Sequence, residues 1–185
     1  MTTYHLIPGS ENTQRTLTLA RECALSRGIR HLVVASTSGR TGKLLAEMCQ
    51  SDQVKVVIVT HNRGFQESEK PDFDSKMLAD AEHYGAKIHT GTMVTRGLGR
   101  AIRKKTGYSH EDLIAHTLRI LGEGTKVCVE IAAMAFDAGL IDEVDIIAIA
   151  GTHSGADTAC IISPKPSNLF FDIRIKEFIA KPGQF

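Results

Sequence analysis

Short apolar runs alternate with helix-length segments along most of this chain, and this alternation constrains the fold more than any other feature. The runs at residues 32–35, 54–60 and 144–150 carry few polar side chains, which is typical of strands covered on both faces. Other segments have the apolar spacing of helices of about a dozen residues. This order predicts a parallel α/β sheet with helices on both faces.

The end of the chain departs from this alternation. Only the glycine-rich residues 151–157 separate the run at 144–150 from a second apolar run at 159–163. Because a parallel crossover needs about a dozen residues or more, the run at 159–163 is expected to lie antiparallel to its neighbour. Residues 4–7 are expected to form a short strand, and residues 168–180 a strand or a short helix.

Composition places the chain in a broad class. Its 185 residues suit one domain, residues 1–185, and the net charge of +1 gives no global field toward nucleic acid or an anionic membrane. We therefore expect neither as a partner. The four cysteines are widely spaced with no Cys-x-x-Cys pair, which favours reduced thiols in a cytoplasmic protein over a disulfide framework or a zinc site.

The turn after the first apolar run has the residues of a phosphate-binding loop. It is a strand followed by small hydroxyl residues and glycines and then by a helix, whose first N–H groups lack intrahelical partners. Its predicted ligand-binding residues are Ser36, Thr37, Ser38, Gly39, Arg40 and Thr41. The glycines let backbone N–H groups come close to a phosphate, and Arg40 can add charge. The alternative is an ordinary N-capped turn.

The other strand ends carry similar residues. Ligands of open α/β sheets bind beyond the carboxyl ends of the strands, where these loops meet. The further residues predicted to bind the ligand are Thr60, His61, Gly64, Phe65, Thr92, Gly151, Thr152, His153, Ser154, Gly155, Asp157 and Thr158. Phe65 is expected either to stack on a planar ligand or to anchor its loop. Asp157 is expected to orient His153 or to cap the loop, the cap being preferred.

His61 and His153 are the candidate catalytic residues, because each follows a predicted strand and can serve as a general acid or base. Hydrogen bonding to a ligand is the preferred role for both. A metal site is not expected, since no third ligand stands at a recognisable spacing.

Two charged stretches are given ordinary roles. The cations at residues 100–105 are expected to complement a helix dipole at its C-terminal end. Glu130 and Asp137 lie seven residues apart on one helix face and are expected to face solvent.

Several separate motifs resemble a known family. They are Val33-Val34-Ala35-Ser36-Thr37-Ser38-Gly39-Arg40, Val56-Val57-Ile58-Val59-Thr60-His61-Asn62, Lys126-Val127-Cys128-Val129-Glu130-Ile131 and Gly155-Ala156-Asp157-Thr158-Ala159. Together they resemble the C-terminal α/β domain of pyruvate kinase, and more closely the stand-alone prokaryotic proteins related to that domain. The similarity extends over nearly the whole chain.

The resemblance implies a fold and a ligand. The fold is a three-layer α/β/α sandwich with a mixed five-stranded sheet in the order 3-2-1-4-5, in which strand 5 is antiparallel. The stand-alone relatives have been seen with flavin mononucleotide (FMN) in the cleft at the strand ends. Kinase activity is not implied, because this sequence does not contain the catalytic barrel of pyruvate kinase.

Three functions follow as hypotheses. The first is an FMN-binding protein whose ligand phosphate lies on residues 36–41, whose ring lies near His61, Phe65 and Thr92, and whose second wall is residues 151–158. The second is a non-catalytic sensor or regulatory module for a phosphorylated metabolite. The third is a phosphate-ester enzyme that uses His61 or His153 as the acid or base. Association of identical chains is a further expectation.

Overall fold

The computed structural model of the chain describes residues 1–62 and 74–184. The strands are β1 (Thr3–His5), β2 (His31–Ala35), β3 (Lys55–His61), β4 (Lys87–Gly91), β5 (Ile146–Ala150), β6 (Thr158–Ser163) and β7 (Arg174–Pro182). The α-helices are α1 (Thr13–Arg27), α2 (Arg40–Met48), α3 (Ser75–His83), α4 (Gly97–Thr106), α5 (His110–Arg119) and α6 (Glu123–Asp137), and 3-10 helices span Ser10–Asn12 and Ser167–Asp172. None of these helices combines the length and apolar character needed to cross a membrane.

All of the strands join one mixed sheet in the order β1-β7-β6-β5-β2-β3-β4. The prediction of five strands in the order 3-2-1-4-5 was therefore wrong. The sheet continues past β6, because β7 pairs antiparallel with β6 and β1 pairs parallel with β7. The antiparallel pairing of β6 with β5 confirms the expectation drawn from the short loop between them.

Helices cover both faces of the sheet, as the buried strands predicted. On one face, α1, α2 and α3 pack against residues such as Val34, Ile58 and Ile149. On the other face, α6 packs against the alternate residues of the same strands. Helix α5 lies against α6 and α4 lies against α5, so the second helical layer extends outward from α6.

The packing of α6 explains its composition. Eleven of its fifteen residues are buried, because the helix lies on the sheet with one side and carries α5 on another. Helix α5 begins at a side-chain cap, because the Ser109 hydroxyl accepts a hydrogen bond from the Asp112 N–H at 3.1 Å. These helices form the wall that faces the strand ends of the sheet.

Candidate functional site

A cleft of about 760 Å³ opens at the carboxyl ends of β2 and β5, where the sequence placed the site. Its lining residues are Ala35, Ser36, Thr37, Ser38, Thr41, His61, Met93, Arg96, Arg119, Glu123, Val127, Gly151, Thr152, His153, Ser154 and Gly155. Ten of the residues predicted from the sequence are among them. The turn after β2 and the turn after β5 therefore form two walls of one cleft.

The turn after β2 is held by hydrogen bonds to its own hydroxyls. Ser36 Oγ is buried and accepts a hydrogen bond from the Gly42 N–H at 3.1 Å, while the Ser36 N–H donates to the Val59 carbonyl at 3.0 Å. The Ser36 hydroxyl thus caps α2 and fixes its first turn against β3. The Thr37 and Thr41 side chains line the cleft beside that helix N-terminus.

Gly39, the N-cap of α2, and Gly42, in the first turn of that helix, have a packing role. A Cβ atom at Gly42 would lie 2.6–2.8 Å from three atoms of the Ile58 side chain, so α2 approaches β3 closely only with glycine there. Gly39 has φ +87°, and a Cβ there would lie 3.1 Å from Met77 Cβ on α3. Neither Gly39 nor the exposed Arg40 is among the residues that line the cleft.

The turn after β5 is held in place by hydrogen bonds to the Asp157 side chain. This carboxylate is fully buried and accepts hydrogen bonds from the Gly9 N–H, the Thr152 N–H and the Thr158 hydroxyl at 2.7–3.0 Å. Of the two roles expected for Asp157, the observed contacts are those of a loop cap. Thr158 is also buried, because α6 begins against it at Gly124.

The remaining predicted residues lie away from the cleft lining or outside the described residues. Thr60 is buried, and its hydroxyl lies 2.7 Å from the Thr90 hydroxyl in the neighbouring strand. Thr92 is exposed beside Gly97, at the start of α4. Gly64 and Phe65 fall outside the described residues.

Both predicted histidines line the cleft. His61 ends β3, and its Nδ1 lies 3.4 Å from Thr37 Oγ1. His153 is exposed and has φ 64°, which places a non-glycine residue in the left-handed region at the tip of its loop. In residues 1–62 and 74–184, no group of three His, Cys, Asp or Glu side chains could hold a metal ion.

Sequence reasoning missed the third wall of the cleft, which α5, α6 and the segment before α4 provide. Arg119 at the end of α5 forms a salt bridge with Glu123 at the start of α6, and Arg96 lines the same wall. Burial raises the pKa of Glu123, but the hydrogen bond from Arg119 and the nearby positive charges outweigh burial and lower it overall. In the sequence, the available signal for this salt bridge was the spacing of Arg119 and Glu123, which lie four residues apart on either side of a helix break.

The expectation that Glu130 faces solvent was wrong. Glu130 and Lys126 are both fully buried in α6 and form a salt bridge there. Glu130 Oε1 also accepts hydrogen bonds from the N–H and the hydroxyl of Thr95. The pair therefore fastens the segment that carries Arg96 to α6.

Comparison with known protein families shows the family of this chain. The family model described as pyruvate kinase, alpha/beta domain, matches residues 14–162, which is most of the chain and includes β2 to β5 and all but the last residue of β6. The chain belongs to this family.

Solved structures similar to this pyruvate kinase α/β-domain protein share little sequence with it. Pyruvate kinase from Cryptosporidium parvum in complex with ADP is 13% identical with a TM-score of 0.38, covering 90% of this chain and 23% of that one. A hydrogen sulfide-producing enzyme from Fusobacterium nucleatum is 18% identical with a TM-score of 0.34, covering 56% and 31%. An O-ureido-L-serine synthase is 16% identical with a TM-score of 0.33, covering 75% and 50%. This chain spans half or less of each of these proteins.

The cleft of this family member combines features suited to an anionic ligand. One wall is the N-terminus of α2 with its hydroxyl residues, and another carries Arg96 and Arg119 against one carboxylate, Glu123. Met93, Val127 and Ala35 add apolar surface between them. The arrangement can hold a ligand that has an anionic group at one end and an apolar body.

Proposed function

We propose that the protein binds a phosphorylated small molecule in the cleft, and that this ligand is FMN. The observation that carries the proposal is the opening of the α2 N-terminus into the same cleft as two arginines. A cleft of about 760 Å³ is within the size range of pockets that bury small cofactors. No reaction is part of the proposed function.

The phosphate is assigned to the turn after β2. The first N–H groups of a helix lack intrahelical partners and carry the positive end of the helix dipole. Ser36 already satisfies the Gly42 N–H, so the Thr37, Ser38 and Thr41 hydroxyls are the side chains available to a ligand in this turn. A phosphate there adds charge-assisted hydrogen bonds from backbone and hydroxyl donors.

The body of the ligand is assigned to the middle of the cleft. Met93 is buried and Val127 is partly buried, so both offer an apolar contact for a planar ring. Methionine sulfur also makes favourable contacts with aromatic edges. The residues after β5 then enclose the ring from the opposite side, with Thr152 and Ser154 available for polar contacts.

The test compares FMN with riboflavin, which differs only by the phosphate. Native mass spectrometry and the visible spectrum of the purified protein show whether flavin is retained, and titration gives both dissociation constants. We expect FMN to bind at least about tenfold more tightly than riboflavin, because a charge-assisted contact contributes about 1.5–3 kcal/mol. Thr37→Val should reduce that ratio without weakening riboflavin binding. Thr117→Val, on the exposed side of α5, is the matched control.

Three results would contradict parts of the proposal. Equal affinity for FMN and riboflavin would remove the phosphate from the turn after β2. A colourless protein that binds no FMN but is thermally stabilised by sugar phosphates would exclude FMN and retain the phosphate site. A protein that binds neither class of compound would overturn the whole function.

A further inference from the structure

The salt bridge between Arg119 and Glu123 is the polar feature of the cleft wall to which the proposed function gives no contact with the ligand. Arg119 ends α5 and Glu123 begins α6, and both residues line the cleft. Their side chains are 25% and 30% exposed. The pair is therefore partly withdrawn from water and still open to a ligand in the cleft.

The two charges of this pair compensate each other. Burial raises the pKa of Glu123, but the hydrogen bond from Arg119 and the nearby positive charges outweigh burial and hold that pKa below its usual value. The carboxylate is thus ionised at neutral pH and acts only as a hydrogen-bond acceptor. A compensated pair favours a polar but uncharged part of a ligand at this wall, since the phosphate is assigned to the turn after β2.

Both partners keep hydrogen-bonding capacity outside the salt bridge. Arg119 donates to Glu123 through Nε and Nη2, so the two N–H groups on Nη1 are not part of the pair. A carboxylate has about four acceptor positions, and Arg119 occupies one on each oxygen of Glu123. The wall therefore offers an acceptor and a donor side by side.

The apolar residues of the same wall determine what lies next to the pair. Val127 follows Glu123 by four residues in α6, a spacing that places the two Cβ atoms about 5–6 Å apart on one face of a helix. Both residues line the cleft, and so does Met93. A planar ring that packs on Val127 and Met93 consequently has one edge beside the Glu123 carboxylate.

We propose that Arg119 and Glu123 recognise the imide edge of the ligand's ring, which is an N–H group flanked by two carbonyl groups. The inference rests on the proposed function, because it concerns the other end of the same ligand. Glu123 accepts a hydrogen bond from the ring N–H, and Arg119 Nη1 donates to a neighbouring carbonyl. The isoalloxazine ring of FMN carries this edge at N3, between the carbonyls at C2 and C4, whereas adenine has no such edge. Glu123 is thereby a specificity-determining residue.

The test compares FMN with 3-methyl-FMN, in which a methyl group replaces the N3 hydrogen. The wild-type protein should bind 3-methyl-FMN at least about tenfold more weakly than FMN, because a charged acceptor loses its donor. Riboflavin and 3-methylriboflavin should differ by about the same factor, since the methyl group is remote from the phosphate. Fluorescence titration of the bound flavin gives the four dissociation constants.

Variants of Glu123 assign the discrimination to this residue. Glu123→Ala should bring the ratio of the 3-methyl-FMN and FMN dissociation constants close to one, by weakening FMN binding. Glu123→Gln should give an intermediate ratio, because an amide oxygen still accepts a hydrogen bond but without charge. Glu82→Ala is the matched control: it removes an exposed glutamate from α3, on the opposite face of the sheet, and should keep the wild-type ratio. Circular dichroism establishes that each variant is folded.

Nuclear magnetic resonance of FMN enriched in ¹⁵N reports the contact directly. The N3–H proton of bound FMN should exchange slowly with solvent in the wild type and rapidly in Glu123→Ala. Discrimination that persists in Glu123→Ala would assign the edge to other residues and overturn the inference.

Failure of this inference is distinguishable from failure of the proposed function. Equal affinity for FMN and 3-methyl-FMN would overturn the inference, and a preference for FMN over riboflavin would still support the phosphate site. Discrimination against the methyl group without that preference would support the imide contact and remove the phosphate from the turn after β2. Wild-type protein that binds no flavin would overturn both.

Discussion

The Asp157 carboxylate connects three parts of the chain at the base of the cleft. It accepts hydrogen bonds from Gly9 in the N-terminal segment, from Thr152 in the turn after β5 and from Thr158 at the start of β6. A buried polar donor that loses its partner costs about 1–3 kcal/mol, so this one side chain has a large effect on the loop. Asp157 therefore fixes the position of the loop that forms one wall of the cleft.

Replacing Asp157 should destabilise the fold. Asp157→Ala leaves three donors without their acceptor, and we expect the free energy of unfolding to fall by about 3 kcal/mol in urea denaturation. Asp157→Asn should cost less, because the Thr158 hydroxyl can turn and accept from the new amide. The control is Asp137→Ala: that exposed carboxylate accepts only from the Ser167 N–H among the described residues. Equal losses from Asp157→Ala and Asp137→Ala would contradict the role given to Asp157.

The location of single residues in the cleft was predictable where the chain itself places them at strand ends. Ser36, Thr37 and Gly151 follow apolar runs directly, so topology alone carries them to the cleft. Arg96 and Arg119 could not be found in this way, because they belong to the helical layer and reach the cleft only through the packing of α4 and α5. The role of Gly42 was hidden for a similar reason, since it depends on Ile58 in another strand.

At the scale of the elements, α6 is held by an internal salt bridge that its periodicity does not reveal. Lys126 and Glu130 are four residues apart and fully buried. Burial lowers the pKa of Lys126, while the Glu130 carboxylate acts in the opposite direction. A charged pair on a helix usually indicates a face exposed to solvent. In the structure, α5 and the segment before α4 cover this face of α6, and the sequence of α6 alone does not reveal that.

Removing one partner of this salt bridge should cost more than replacing both. Lys126→Met leaves the buried Glu130 without its counter-charge, and we expect a loss of about 4 kcal/mol in the free energy of unfolding. In the double variant Lys126→Met/Glu130→Gln, no charge is left buried and the amide oxygen can still accept a hydrogen bond from Thr95. The double variant should therefore lose less free energy of unfolding than Lys126→Met alone. Urea denaturation of the wild type, both single variants and the double variant completes the cycle. Additive losses would show that the two side chains are not coupled.

The outer strands show the limit of prediction at this scale. Residues 4–7 were predicted to form a strand and residues 168–180 a strand or short helix, but neither sequence indicates which strand it pairs with. In the structure, β7 pairs with β6, and β1 pairs with β7. The second pairing joins Thr3 to Ala180, which lie more than a hundred positions apart in the sequence. Strand content follows from local pattern, whereas the number and order of strands depend on such distant contacts.

At the scale of the whole molecule, three histidines distributed over the sheet make stability depend on pH. His5 lies in β1, His31 in β2 and His89 in β4. Burial lowers the pKa of each from the ordinary value of 6.5. For His31, Lys55 lowers the pKa further and Asp142, 3.9 Å away, partly opposes it. Protonation of these rings therefore favours the unfolded chain.

The sign of the effect follows from proton linkage. Between the lowered pKa of the folded state and 6.5, the unfolded chain binds more protons, so stability rises with pH through that window. The free energy of unfolding should be nearly constant from about pH 8 to pH 7 and fall as the pH decreases from 6.5 toward about 5. Urea denaturation at these pH values measures it.

A variant at His31 separates one contribution from the others. Among the described residues, His31 Nδ1 is buried without a hydrogen-bond partner, so His31→Leu removes both a titrating ring and an unsatisfied polar atom. We expect this variant to keep its stability at about pH 7 and to lose less stability than the wild type on acidification to about pH 5. The same decline in both proteins would show that His31 does not contribute. The leucine places its branched side chain where β2 starts, at the end of the strand away from the cleft, so ligand binding at neutral pH should be unchanged and serves as the internal control.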